Sequence, residues 1–190
     1  MSLLALLLAC TDDGSSTADS ATPSDTTTPP VDTRPDVDPA TLPAGTAPCR
    51  EPVLMFVDWV VDGDTAYMTA DGASSQEKVR FIGIDTPELG YRGSADDCYG
   101  PEALAETQRL IQDRWVYLTF DAECEDYYDR TLAYLHLGGG DDDFVNRSLV
   151  RAGFAWAYAV QPNVAFETEF QQDELAAVQA GLGLWSACEP

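Results

Sequence analysis

Positive charge is scarce in this sequence: 10 Lys and Arg stand against 33 Asp and Glu, a formal net charge of −23 over 190 residues. Long-range steering by such a surface opposes polyanions and argues against broad electrostatic adsorption to them. The deficit lies in the body of the chain, because residues 1–47 hold only Arg34 and seven Asp, and the remainder still has 9 basic against 26 acidic residues. Histidine is almost absent, with His136 alone, and no Cys-x-x-Cys spacing occurs, so a zinc centre lacks its usual ligands. No apolar run approaches the roughly 20 residues that a membrane-crossing helix needs; Leu3 to Ala9 offers seven. No internal repeat is visible.

What is present suits one domain of ordinary size with a tail, since the apolar fraction of 45% is that of a globular protein. Val53 to Val61, Ala66 to Met68, Val79 to Ile84, Trp115 to Phe120 and Thr131 to Leu137 are rich in branched and aromatic residues. Gly, Pro or Asp bound each run, so all five read as strands. Pro101 to Asp113 places Pro at a first helical turn and apolar residues at helical spacing. Phe144 to Ala152 and Phe166 to Ala180 read as two further helices, each stopped by a glycine, Gly153 and Gly181. The fold class is therefore α+β, five strands suit a small barrel, and the pattern alone leaves several arrangements open.

The chemistry concentrates between Val61 and Glu88. Val61-Asp62-Gly63-Asp64-Thr65 and Gly83-Ile84-Asp85-Thr86-Pro87-Glu88 are two acidic turns on either side of a strand-like run containing Arg80. An isolated Asp beside Gly or Pro is by default a turn former. Here the strand text between the turns returns the chain and can set Asp64 beside Asp85, and two carboxylates with a carbonyl-rich turn suit a hard cation.

Further blocks follow in order: Tyr99-Gly100-Pro101-Glu102-Ala103, then Asp126 to Tyr134 with Arg130 at its centre, Phe144 to Gly153, and Gly181-Leu182-Gly183-Leu184-Trp185. Together with the two acidic turns they resemble the staphylococcal nuclease (thermonuclease) family from about Pro52 to Trp185. The resemblance implies a five-stranded OB-fold β-barrel with three α-helices, and nucleic acid as the partner. It also implies calcium, bound by the carboxylates of Asp64 and Asp85 and the backbone carbonyl of Thr86. Glu88 would position and activate the attacking water, and Arg80 and Arg130 would grip the phosphate, a role that suits guanidinium forks. Tyr128 and Tyr158 would line the nucleotide pocket. Tyr127 stands where the family's best-known member has Lys, so one phosphate-contacting cation is missing.

Leu7-Leu8-Ala9-Cys10 resembles the lipobox of a bacterial lipoprotein signal, with Cys10 as the acylated residue, although no Lys or Arg precedes the apolar run. The expected organisation is a signal over 1–10, a disordered Ser/Thr/Pro/Asp tether over 11–47, and the nuclease-like domain over 48–190. Cys49, Cys98, Cys124 and Cys188 form an even set in what reads as an exported, monomeric domain. Four cysteines allow three pairings. The favoured one joins Cys49 to Cys188, which would staple the domain's ends, and Cys98 to Cys124.

Two rival readings are a non-catalytic module of the same fold that binds nucleic acid or another partner, and an acidic calcium-binding surface protein. All six site positions carry the required residue types, which speaks against the first. Arg80 and Arg130 speak against the second, since such a protein needs no phosphate clamp. His136 reads as structural, and Asp141-Asp142-Asp143 as a solvated turn leading into a helix.

Overall fold

A computed structural model of the chain describes residues 33–90 and 92–188. The lipobox, Cys10 and most of the expected tether lie outside the described residues. Five strands, β1 (Val53–Asp62), β2 (Thr65–Ala70), β3 (Gln76–Phe81), β5 (Trp115–Thr119) and β6 (Thr131–His136), close into a barrel in the order β1-β2-β3-β6-β5. This is the expected OB-type arrangement, and inward-facing side chains of every strand fill its interior. Met55, Val57, Met68, Val79, Phe81, Val116, Leu118, Ala133 and Leu135 are fully buried. Each large side chain among them contributes about 1.5–3 kcal/mol on burial.

Closure depends on one parallel pairing, β3 with β6, which sets Arg80 opposite Leu132. Strand β1 can serve both β2 and β5 because register shifts after Val57 and after Val60 bend it. The run expected as one strand, Val79 to Ile84, divides at Ile82. Gly83 has φ +81° and lies so close to the Phe170 ring that a Cβ would sit 2.7 Å from it. The chain therefore leaves the barrel and begins β4 (Gly83–Asp85), which pairs with an unforeseen strand, β7 (Trp156–Tyr158).

The three expected helices are α1 (Gly100–Ile111), α2 (Val145–Arg151) and α3 (Glu167–Ala180), and a single further turn forms α4 (Leu184–Ala187). Asn146 of α2 is fully buried and fully bonded: its Nδ2 donates to Ile82 O at 2.9 Å and its Oδ1 accepts from Leu135 N at 2.9 Å. The break between β3 and β4 is thus tied to β6. Phe166 and Phe170 of the α3 end pack edge-on against Tyr134 and Phe144, with the Tyr134 and Phe166 centroids 4.7 Å apart.

Two expectations need correction. The tether does not extend to residue 47, because the chain from Thr33 lies along β5: Trp115 N donates to Thr33 Oγ1, Thr119 Oγ1 to Pro43 O and Gly45 N to Phe120 O. Leu42 is buried and Arg34 sits over the Trp115 ring at 4.6 Å. Composition argued for disorder, yet prolines lower the entropy lost on ordering, and the barrel offers polar groups that need partners.

The disulfides also differ from the favoured pairing. Cys49 joins Cys124 and Cys98 joins Cys188, each with Cα atoms 5.8 Å apart. Antiparallel pairing of β1 with β5, Val53 opposite Leu118, carries the residues before β1 alongside those after β5, so Cys49 meets Cys124. The last turn ends beside the loop before α1, where Cys98 stands. The Cys98→Ser/Cys188→Ser double variant opens a 90-residue separation and is expected to cost about 2–4 kcal/mol, measurable as a lowered urea midpoint.

His136 is structural, as expected. Thr119 donates its one proton to Pro43 O, so its oxygen accepts from His136 Nε2 at 2.9 Å. Burial pulls the imidazole pKa from 6.5 down to about 4, against the milder opposing pull of a hydrogen bond with Pro43 and of Asp143. The unfolded chain takes up this proton below pH 6.5 while the native chain does not. Stability is therefore lost as pH falls from about 6.5 to about 4, by roughly 3 kcal/mol for this group. His136→Gln is expected to flatten that part of the stability–pH curve, read by chemical denaturation at each pH.

Candidate active site

The first acidic turn joins β1 to β2 and is fastened from below, where Thr107 of α1 donates to Gly63 O at 2.7 Å. Gly63 is required by close approach: a Cβ there would lie 2.6 Å from Thr86 Oγ1. The missing side chain lets the two acidic turns touch. Asp64, 2% exposed, turns its Oδ2 to the Thr86 N–H at 2.9 Å and Thr86 Oγ1 at 3.2 Å, and its Oδ1 accepts from Thr65 Oγ1 at 3.1 Å. Asp64 and Asp85, 21 residues apart in sequence, therefore meet at one place.

Arg80 binds both. Its Nη1 ion-pairs with Asp64 Oδ1, and its Nη2 donates to Asp85 Oδ1 at 2.7 Å and to Ile84 O at 3.2 Å. Burial lowers the guanidinium pKa, opposed chiefly by Asp85 and also by Asp62, while nearby Arg130 adds to the lowering. The donor set is made only of oxygens, and its two carboxylates converge on one positive charge, so it fits a hard cation. Among the described residues no group of three or more His, Cys, Asp or Glu is placed to hold a metal ion, so the oxygens here are two carboxylates and backbone carbonyls.

Glu88 is exposed just beyond this cluster. Its backbone is held on both sides by Asp97: Glu88 N donates to Asp97 Oδ2 at 3.2 Å, and Asp97 N donates to Glu88 O at 2.9 Å. Cys98 follows directly, so the Cys98–Cys188 bridge anchors the loop that presents Glu88. Though the residue is exposed, loss of part of its carboxyl's hydration, with the Asp62, Asp85 and Asp97 carboxylates, holds the Glu88 carboxyl above its ordinary pKa, against the pull of Arg80. A raised pKa favours proton acceptance near neutral pH.

Arg130 immediately precedes β6. Asp126 orients it, accepting from Arg130 Nε at 2.7 Å and from Arg130 N at 3.0 Å. Burial alone would raise the Asp126 pKa, but these bonds and one from Tyr128 N outweigh it and hold the carboxyl low. Arg80, Arg130, Tyr127 and Tyr158 line one cleft of about 360 Å³, with Gly83 and Ile84 in its wall. Tyr158 is placed there by β7, directly opposite Gly83.

Tyr128 stands apart from this cleft lining. It lies on the other side of Arg130, in a shallower hollow with Lys78, while Tyr127, 94% exposed, takes the cleft side. Four residues had no role in the sequence reading. Asp62 accepts from Asp64 N at 3.1 Å and carries a pKa raised chiefly by burial; it was legible as the first acid of Val61-Asp62-Gly63-Asp64. Glu123 and Glu125 add negative charge to the cleft wall, a placement with no local sequence signal. Buried Asn163 holds that wall, accepting from Glu123 N at 2.8 Å and donating to Glu123 O at 3.0 Å.

Residues 78–187 match the family described as staphylococcal nuclease homologue. The chain belongs to that family. Among curated proteins it is similar to a thermonuclease of Staphylococcus hyicus, 35% identical over 67% of this chain and 72% of that protein. A thermonuclease of Staphylococcus intermedius is 36% identical over 68% of this chain and 74% of its own. Endonuclease YncB of Bacillus subtilis is 32% identical over 70% of this chain and 62% of its own. The family match spans Arg80, Asp85, Thr86, Glu88 and Arg130, and the first acidic turn lies just ahead of it.

Proposed function

We propose that the chain is a calcium-dependent, largely sequence-non-specific nuclease that hydrolyses DNA, with RNA as a second substrate, to 3′-phosphate and 5′-hydroxyl products. The observation that carries this reading is the convergence of Asp64 and Asp85 on Arg80 beside a cleft shared with Arg130, in a chain of the nuclease family. Asp64, Asp85 and the Thr86 carbonyl would hold the cation, which supplies positive charge to a phosphoryl oxygen. Arg80 and Arg130 bind the other phosphoryl oxygens and the charge that builds on them in the transition state. Glu88 takes a proton from water as its oxygen bonds to phosphorus; the P–O5′ bond breaks and the departing oxygen takes a proton from solvent. Arg80 shares Asp64 and Asp85 with that site, and a guanidinium released from them would be available to a phosphate of the substrate.

The two disulfides suit an oxidising compartment. They support export, with the chain either held to a membrane through a lipid on Cys10 or released, and acting as a monomer. Digestion of single-stranded DNA, duplex DNA and RNA, in calcium and in chelator, tests the assignment. Cleavage only in calcium, leaving new 5′-hydroxyl ends, is expected. No cleavage of any substrate in calcium would leave the binding-module reading instead.

A further inference from the structure

The chain's one lysine stands beside the active site. Lys78 precedes Arg80 by two residues on β3, and alternation along a strand puts both on the barrel's outer face about 7 Å apart. Register extends the row across the sheet, with Lys78 opposite Tyr67 and Tyr67 opposite Trp59. The groups are in contact: Lys78 Nζ lies 5.9 Å from the Tyr67 ring centroid, and the Tyr67 and Trp59 rings are 6.0 Å apart. On its other side Lys78 shares a hollow of about 320 Å³ with Tyr128 and Arg130, whose guanidinium lies 5.6 Å from the Tyr128 ring. The adjoining row, Asp62 opposite Thr65 and Thr65 opposite Arg80, belongs to the active site itself.

Trp59 is 51% exposed and Tyr128 is 73% exposed. An uncovered indole forgoes much of the stabilisation that burial would bring, and the β1 irregularity between Val57 and Trp59 is what turns it away from the core. A row of aromatic faces interrupted by cations, continuous with a phosphate-binding cleft, fits one class of occupant better than others. Base faces stack on aromatic rings whatever the sequence, and this attraction needs no net positive charge. In a protein of charge −23 stacking replaces part of the missing phosphate neutralisation.

We propose that Tyr128, Lys78, Tyr67 and Trp59 form a binding track for unpaired nucleotides flanking the bond that is cut. Bases stack on the three rings, and Lys78 contacts an intervening phosphate. The proposal rests on the nuclease reading and deepens it, because it makes a single strand extending past the cleft the favoured substrate. Paired bases already stack on each other and cannot offer their faces to this surface. Three neighbouring strands at about 4.8 Å spacing put Trp59 about 10 Å from Lys78, beyond the reach of a dinucleotide held at Arg80 and Arg130.

The test compares kcat/KM for a 12-nucleotide single strand and for a dinucleotide, using the full chain in calcium. Trp59→Ala and Tyr67→Ala are each expected to lower the long-to-short ratio about tenfold, within the range for a lost stacking contact, and Trp59→Phe to keep most of it. Binding of the long strand should fall with salt at a log–log slope of about −2, from three cations at roughly 0.7 each. Ratios within twofold of wild type, or equal losses on both substrates, overturn the track. So does a wild-type dimer that Trp59→Ala dissociates, which would make the row a contact between copies. A wild type that cuts neither substrate would sink the nuclease reading itself, whereas one that cuts both while the ratio ignores Trp59 and Tyr67 sinks only the track.

Discussion

Glu88→Gln is expected to lower kcat on single-stranded DNA by about 10²- to 10⁴-fold, the usual contribution of a positioned general base. Gln keeps the size and the hydrogen-bonding reach of the side chain, so what is removed is the ability to accept a proton. Structure should survive: the side chain is exposed, and the bonds that fix this residue are made by its backbone to Asp97. Unfolding free energy is accordingly expected to stay within about 0.5 kcal/mol of wild type, and calcium affinity, read by calorimetry, to change little beside the loss in rate. Pre-steady-state kinetics would separate the chemical step from binding. A variant within threefold of the wild-type rate would remove Glu88 from the mechanism.

Arg80→Gln should have a different signature, because this guanidinium joins the two carboxylates of the cluster. Asp64 is almost fully buried, and its Oδ1 faces Arg80 and the Thr65 hydroxyl. Removing one partner of a buried ion pair costs about 3–5 kcal/mol, mostly from the charge left behind. That loss should appear in chelator and shrink in calcium, since a cation bound only to the native state restores stability by mass action. The expected result is a variant of lowered melting temperature, rescued by millimolar calcium, whose activity stays low because one phosphate-binding arm is gone. Equal destabilisation with and without calcium would mean that the cation does not share the Asp64–Asp85 pair.

These two residues also mark how far the sequence could be read. The acidic turns, the arginines and Glu88 were legible because each is a short local pattern whose residue types answer to one chemistry. The barrel strands and three helices were legible because branched residues, helical spacing, Pro101, Gly153 and Gly181 act over a few neighbours. The break at Ile82 was not, since it follows from the Phe170 ring pressing on Gly83 across 87 residues of chain. Nor was the docking of 33–47, where composition pointed to disorder and β5 supplied partners.

Sequence by itself settled the family resemblance, the chemistry available at each site position and the scarcity of cations, because these depend only on which residues occur and in what order. Tertiary structure alone decided the disulfide partners, the side of Arg130 on which each tyrosine falls, the acidic wall of Glu123 and Glu125, and the row from Lys78 to Trp59. All four depend on strand register and barrel closure. Register is set by the whole core packing at once, and no local stretch of chain encodes which distant residue it will face.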